Sequence, residues 1–213
     1  MKREIIYCNL HLQLKLSFMK TVFLDTNIFK FGTTGVLEYG NYPGSASFLG
    51  YRDPNEKLPE HMAVEIRALR ELIKKHAAEL SFKTSIEVFL ETMRCTTIGE
   101  KQSIFDGVQI TPVKTPIQLD RPLINRSEDI LIFSQIKHAR FLELQKATGA
   151  FQGETIDENQ LIDTLHIWTA ENNLCDFFLT LDLKLVRQVQ GHKKHPPRIV
   201  VASPSLLLGR LSI

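Results

Sequence analysis

The sequence is poor in cysteine. Its three residues of this type, Cys8, Cys95 and Cys175, are scattered and form no Cys-x-x-Cys pair. That pattern supplies neither a disulfide framework nor a thiolate zinc site, and it suits a reducing compartment. The expected location is cytoplasmic. No apolar run reaches the roughly 18 residues that a membrane-spanning helix needs. Excess charge is also missing. The formal net charge is only +2, and Lys2, Arg3 and Lys15 against Glu4 account for it, so the rest of the chain is formally neutral. A general positive field for nucleic acid is thereby excluded, and any such ligand needs a local basic patch. One stretch lacks acids altogether: from Leu183 to Ile213 the charged residues are Lys184, Arg187, Lys193, Lys194, Arg198 and Arg210. Internal repeats and low-complexity tracts are absent.

What is present describes a globular chain. At 213 residues, 43% apolar and 23% charged, it fits one domain able to bury a core without staples. The opening MKREIIYCNLHLQLKLSF is not expected to act as a secretory signal, because Asn9, His11, Gln13 and Lys15 break its apolar centre. Leu10, Leu12, Leu14 and Leu16 alternate with polar residues at a strand-like period. Met19-Lys20 resembles a second start. Residues 1–18 are therefore expected to be an N-terminal extension, either an added edge strand or a non-native upstream stretch. Residues 19–213 are expected to form the domain.

Short apolar runs at Thr21–Leu24, Phe82–Ser85, Phe177–Thr180 and Arg198–Ala202 read as strands. Met62, Ile66, Leu69 and Ile73 recur at steps of three and four, which predicts an amphipathic helix within Glu60–Leu80. Further helices are expected over Ile86–Met93, from a cap at Ser127 to Lys146, from a cap at Asp157 to about Asn173, over Leu183–Gln190, and after Pro204. Residues 39–59, rich in glycine, proline and aromatics, read as a long loop. In residues 107–125, Pro112, Pro116 and Pro122 suit edge strands or an extended arm. Strands alternating with helices predict an α/β fold, a three-layer α/β/α sandwich on a central, mostly parallel sheet.

Carboxylates fall at informative places. Asp25 ends the first strand and Asp182 follows the third in the same relation; sites in parallel sheets form at such strand ends. Asp163 lies near the start of the helix before that third strand, and Glu91 lies in the helix after Phe82–Ser85. Four carboxylates in one pocket repel and raise each other's proton affinity unless a cation sits among them. Such a cluster makes sense as a hard-metal site for Mg²⁺ or Mn²⁺.

These segments resemble the motifs of PIN-domain nucleases. TVFLDTNIF (Thr21–Phe29) is similar to that family's opening strand and acidic turn. TSIEVFLE (Thr84–Glu91) is similar to its second motif, and DTLHIWTAENNLCDFFLTLD (Asp163–Asp182) to its third block. The resemblance runs from Met19 to about Pro204, with residues 39–59 and 107–125 as insertions. It implies that Asp25, Glu91, Asp163 and Asp182 form a catalytic metal centre, with Glu87 as an alternative to Glu91 and Asp176 as a weaker one to Asp182. It also implies Asn27 and Thr180 as polar supports on the substrate side. The implied activity is a ribonuclease that cleaves RNA phosphodiesters with a metal-activated water, and one subclass consists of toxins held by antitoxins. Lys184, Arg187, Lys193 and Lys194 are candidates for contact with the RNA backbone. RNA, single-stranded or in a structured loop, is the expected substrate; an antitoxin protein and a second copy of the chain are the protein partners to look for. His166, on one helix face with Asp163, reads as a packed or surface residue, and Trp168 as core. Two rival readings are a silent PIN-like module that binds RNA or protein, and a phosphatase with an Asp nucleophile. The phosphatase is disfavoured because Asn27 stands where that chemistry wants a second Asp.

Overall fold

The computed structural model describes residues 19–212 apart from 43–44, 54–56, 96–100, 118–129, 131 and 153–154. Residues 1–18, with their expected edge strand, lie outside it. Five strands make the central sheet: β1 (Lys20–Leu24), β4 (Leu80–Ser85), β6 (Ile110–Val113), β9 (Phe177–Leu179) and β10 (Val200–Ala202). Their order is β10-β9-β1-β4-β6, and all four pairings are parallel. Pro112 sits in β6, at the sheet edge, where its missing N–H breaks no ladder.

Parallel strands are covered on both faces, so both faces must be apolar. Strand periodicity divides the side chains between two cores. Phe23, Phe178 and Val201 enter one, with Phe23 and Phe178 stacked at 5.7 Å. Val22, Leu24, Phe177, Leu179 and Ala202 enter the other. Helices α4 (Ala139–Thr148), α5 (Glu158–Asn172) and α6 (Leu183–Gly191) cover the first through Phe141, Leu144, Leu161, Leu165, Leu185 and Val189. Helices α2 (Glu60–His76) and α7 (Pro204–Leu211) cover the second through Ile66, Leu69, Leu72 and Leu207. Two further helices, α1 (Thr26–Phe31) and α3 (Ile86–Cys95), leave the carboxyl ends of β1 and β4 and pack together. The three-layer α/β/α sandwich expected from the sequence is present.

Two expectations are corrected. Residues 39–59 are not a long loop. Strands β2 (Thr33–Tyr42) and β3 (Ser45–Arg52) form an antiparallel hairpin, and β5 (Lys101–Ser103) joins β2 to complete a three-stranded sheet. Tyr42 pairs with Ser45, so only Pro43-Gly44 separates the strands. That spacing is a hairpin signal which the glycine-rich composition hid. The helix expected up to Lys146 is broken as well. Its proposed cap at Ser127 lies outside the described residues. Helical residues 132–134 close with tight bonds from Gln135 N–H to Ile132 O and from Ile136 N–H to Phe133 O. Helix α4 starts afresh after His138 and ends at Gly149, whose φ of 69° suits glycine. A small antiparallel pair, β7 (Phe151–Gln152) and β8 (Thr155–Ile156), follows.

Candidate metal centre

Strand β1 lies between β9 and β4, and the chain builds outward from it in both directions. The point where the order reverses opens a crevice at the carboxyl ends of the strands. Asp25 stands there, 2% exposed. Its backbone N–H extends the ladder to Leu179 O at 3.1 Å. Its Oδ1 accepts the Thr26 N–H (2.8 Å), capping α1, and its Oδ2 accepts the Thr180 hydroxyl (2.7 Å). The Thr84 hydroxyl donates to Leu24 O (3.3 Å), which pins the end of β1 from the other side.

Thr180 and Asn27 tie the turn after β9 to the turn after β1. The Thr180 hydroxyl accepts from Asn27 Nδ2 (3.0 Å) and from the Asp182 N–H (3.1 Å), and Asn27 Oδ1 accepts the Leu181 N–H (2.8 Å). The polar atoms of both residues are thus engaged within the fold, where they position Asp25.

Asp182 caps α6, its Oδ1 accepting the N–H groups of Lys184 and Leu185. Glu91, on α3, accepts the Thr26 hydroxyl at 2.6 Å. Glu87 is more deeply buried: its Oε1 meets the Thr115 hydroxyl (3.2 Å), while its buried Oε2 has no hydrogen-bond partner among the described residues. Asp163 projects from α5 and has no hydrogen-bond or ion-pair partner among the described residues. Burial first, then the charges of Asp25, Asp182 and Glu91, hold its carboxyl well above the usual carboxylate range.

His166, one turn along α5 from Asp163, completes the arrangement. It is 1% exposed, with Nδ1 3.4 Å from Asp25 Oδ1 and Nε2 4.0 Å from Glu91 Oε2. Burial alone would lower its proton affinity. The hydrogen bond to Asp25 and the charges of Asp25, Glu91 and Glu87 outweigh burial and raise its pKa. Asp25, Asp163 and His166 each offer a ligand atom within 4.8 Å of the others. The sequence alone left His166 outside the site; its spacing from Asp163 is the one signal that could have found it.

Crowded carboxylates, one of them unpartnered, together with a buried imidazole form a donor set that fits a divalent cation. Glu91 and Asp182 stand around the tight trio and add negative charge to it. Asp176 is remote: it accepts the Thr21 N–H and pairs with Lys20 at the opposite ends of the strands. The basic candidates divide in the same way. Lys184 and Arg187 are exposed on the first turns of α6, beside Asp182. Lys193 and Lys194 follow the far end of that helix. Their loop is tied to the C-terminal turn of α5, where Glu171 accepts the Arg198 N–H and Arg140 donates to Pro196 O. The fold does not bring these two lysines to the acidic centre.

Among the described residues, no helix is long and apolar enough to cross a membrane. Compared with models of known protein families the chain matches none, and it matches no curated protein.

Proposed function

We propose that the chain is a divalent-metal-dependent endoribonuclease of the PIN-domain type. One observation carries the reading: the Asp25–Asp163–His166 cluster, ringed by Glu91 and Asp182, at the switch point of a parallel sheet. When bound there, Mg²⁺ or Mn²⁺ supplies positive charge at the scissile phosphate and acidifies a water for in-line attack. The chain's own residues prepare the pocket. Thr26, Thr180 and His166 fix the carboxylate of Asp25 in one orientation. The Asn27–Thr180 clamp holds the two turns at a constant separation. Lys184 and Arg187 offset repulsion between the acids and an incoming RNA backbone. Single-stranded RNA, or an exposed RNA loop, suits a narrow carboxylate pocket because its phosphates are free to enter. Within this reading the chain is either a toxin restrained by an antitoxin protein or an enzyme of RNA processing or defence.

The test is cleavage of a mixed-sequence single-stranded RNA with Mg²⁺ or Mn²⁺, alongside EDTA and a folded Asp25→Asn variant. Cleavage that needs the metal and Asp25 is the expected result. Folded wild-type protein that binds the RNA and cleaves nothing with either ion would refute the enzyme and leave a binding module.

A further inference from the structure

This inference rests on the metal-centre reading above and concerns which ion the centre selects. The nitrogen donor lies inside the pocket, not at its mouth, since His166 is 1% exposed. Among the described residues, its two ring nitrogens face carboxylate oxygens, at 3.4 Å (Asp25) and 4.0 Å (Glu91). The first is a long hydrogen bond and the second lies beyond hydrogen-bond reach. An imidazole ligates one ion through a single nitrogen, and either separation taken singly falls within the roughly 3–4.2 Å expected between two atoms that ligate one ion from about 2.1 Å each. Asp163, on the same face of α5, adds a carboxylate with no other described partner. Mg²⁺ demands oxygen and keeps much of its water, so a buried imidazole adds little to its binding. Imidazole nitrogen is a good ligand for first-row transition ions, and affinity at mixed N/O sites rises along that row from Mn²⁺.

We propose that His166 is a nitrogen ligand at this centre, so that the pocket selects a transition ion, Mn²⁺ or a softer neighbour, over Mg²⁺. Pulsed electron paramagnetic resonance of the full chain loaded with one equivalent of Mn²⁺ tests this directly. The spectrum is expected to carry ¹⁴N coupling from a ligating imidazole. His166→Gln is expected to abolish that coupling. It is also expected to let Mg²⁺ displace Mn²⁺ at an excess at least roughly 10–100-fold lower, the loss seen when even an outer partner of a metal ligand is removed. Asp163→Asn keeps the histidine and should weaken Mn²⁺ binding and the coupling together, which locates the signal here should His166→Gln fail to fold. Bound Mn²⁺ without ¹⁴N coupling, or coupling that survives in folded His166→Gln or Asp163→Asn protein, would overturn the role of His166 and leave the nuclease reading standing. Failure of Mn²⁺ to bind at all would overturn both.

Discussion

Asp25 and Asp163 face one pocket in opposite circumstances. Asp25 is fully engaged by Thr26, Thr180 and His166, whereas Asp163 is desolvated beside like charges without a described partner. In the unfolded chain the Asp163 proton leaves near 3.8; in the fold it leaves at a higher pH. Between those values the unfolded state binds fewer protons, so stability falls as pH rises. His166 acts in the same direction. Its raised pKa gives stability that is complete below 6.5 and is lost as pH climbs through the raised value. Metal-free protein should therefore melt lower at mildly alkaline than at mildly acidic pH. Asp163→Asn removes one of the crowded like charges at a half-buried carboxyl and should raise metal-free stability, most of all at the higher pH, by about 1 kcal/mol, the order of a single pKa unit. In a chain of this length that is about 2–4 °C per kcal/mol. An unchanged melting curve at every pH would show that the carboxyl is not crowded. Asp25 and Asp163 could be read from the sequence because a strand end and a helix start are local features. His166 could not be placed, because its neighbour Asp25 is 141 positions away; helical spacing shows that His166 and Asp163 share a face but not that the face turns inward.

The turns after β1 and β9 are joined by side chains, not by the sheet alone. Asn27 carries that link, so Asn27→Ala leaves the Leu181 N–H and the Thr180 hydroxyl short of partners. The expected loss is about 1–3 kcal/mol in urea unfolding, with Mn²⁺ affinity falling in parallel because Asp25 and Asp182 lose their fixed spacing. Full stability in that variant would mean that the ladder from Asp25 N–H to Leu179 O suffices. At this scale the sequence was legible wherever apolar period and caps agreed: Asp157 and Asp182 do cap α5 and α6. It was opaque in the hairpin β2–β3. Glycines there sit opposite Glu38 and Ser47 across the ladder, and with no side chain they erase the alternation that marks a strand. The break before α4 was hidden for the opposite reason, since Gln135–His138 contain neither glycine nor proline to announce it.

Over the whole molecule, the basic residues of the acid-free tail lie at both ends of the strands. Lys184 and Arg187 share the carboxyl end that holds the acids; Lys193 and Lys194 lie toward the opposite end, past Gly191. Replacing the first pair with alanine should weaken binding of single-stranded RNA and flatten its salt dependence by about 0.7 in log–log slope for each phosphate no longer neutralised. The Lys193→Ala/Lys194→Ala double variant should leave both quantities unchanged, and equal effects from the two pairs would extend the RNA path from the acids to the opposite end of the strands. The sheet's order has one more consequence. Its central strand is the first among the described residues, yet β9 joins β1 across some 155 positions, and the bond from Thr180 to Asp25 spans the same distance. Long-range parallel pairings are slow to close. During synthesis β1 therefore waits with one side bare, and Asp25 lacks Thr180 until β9 emerges. A ribosome making this protein carries Asp25 without its Thr180 partner through some 155 further residues, and a message cut short before β9 leaves the acidic pocket unassembled.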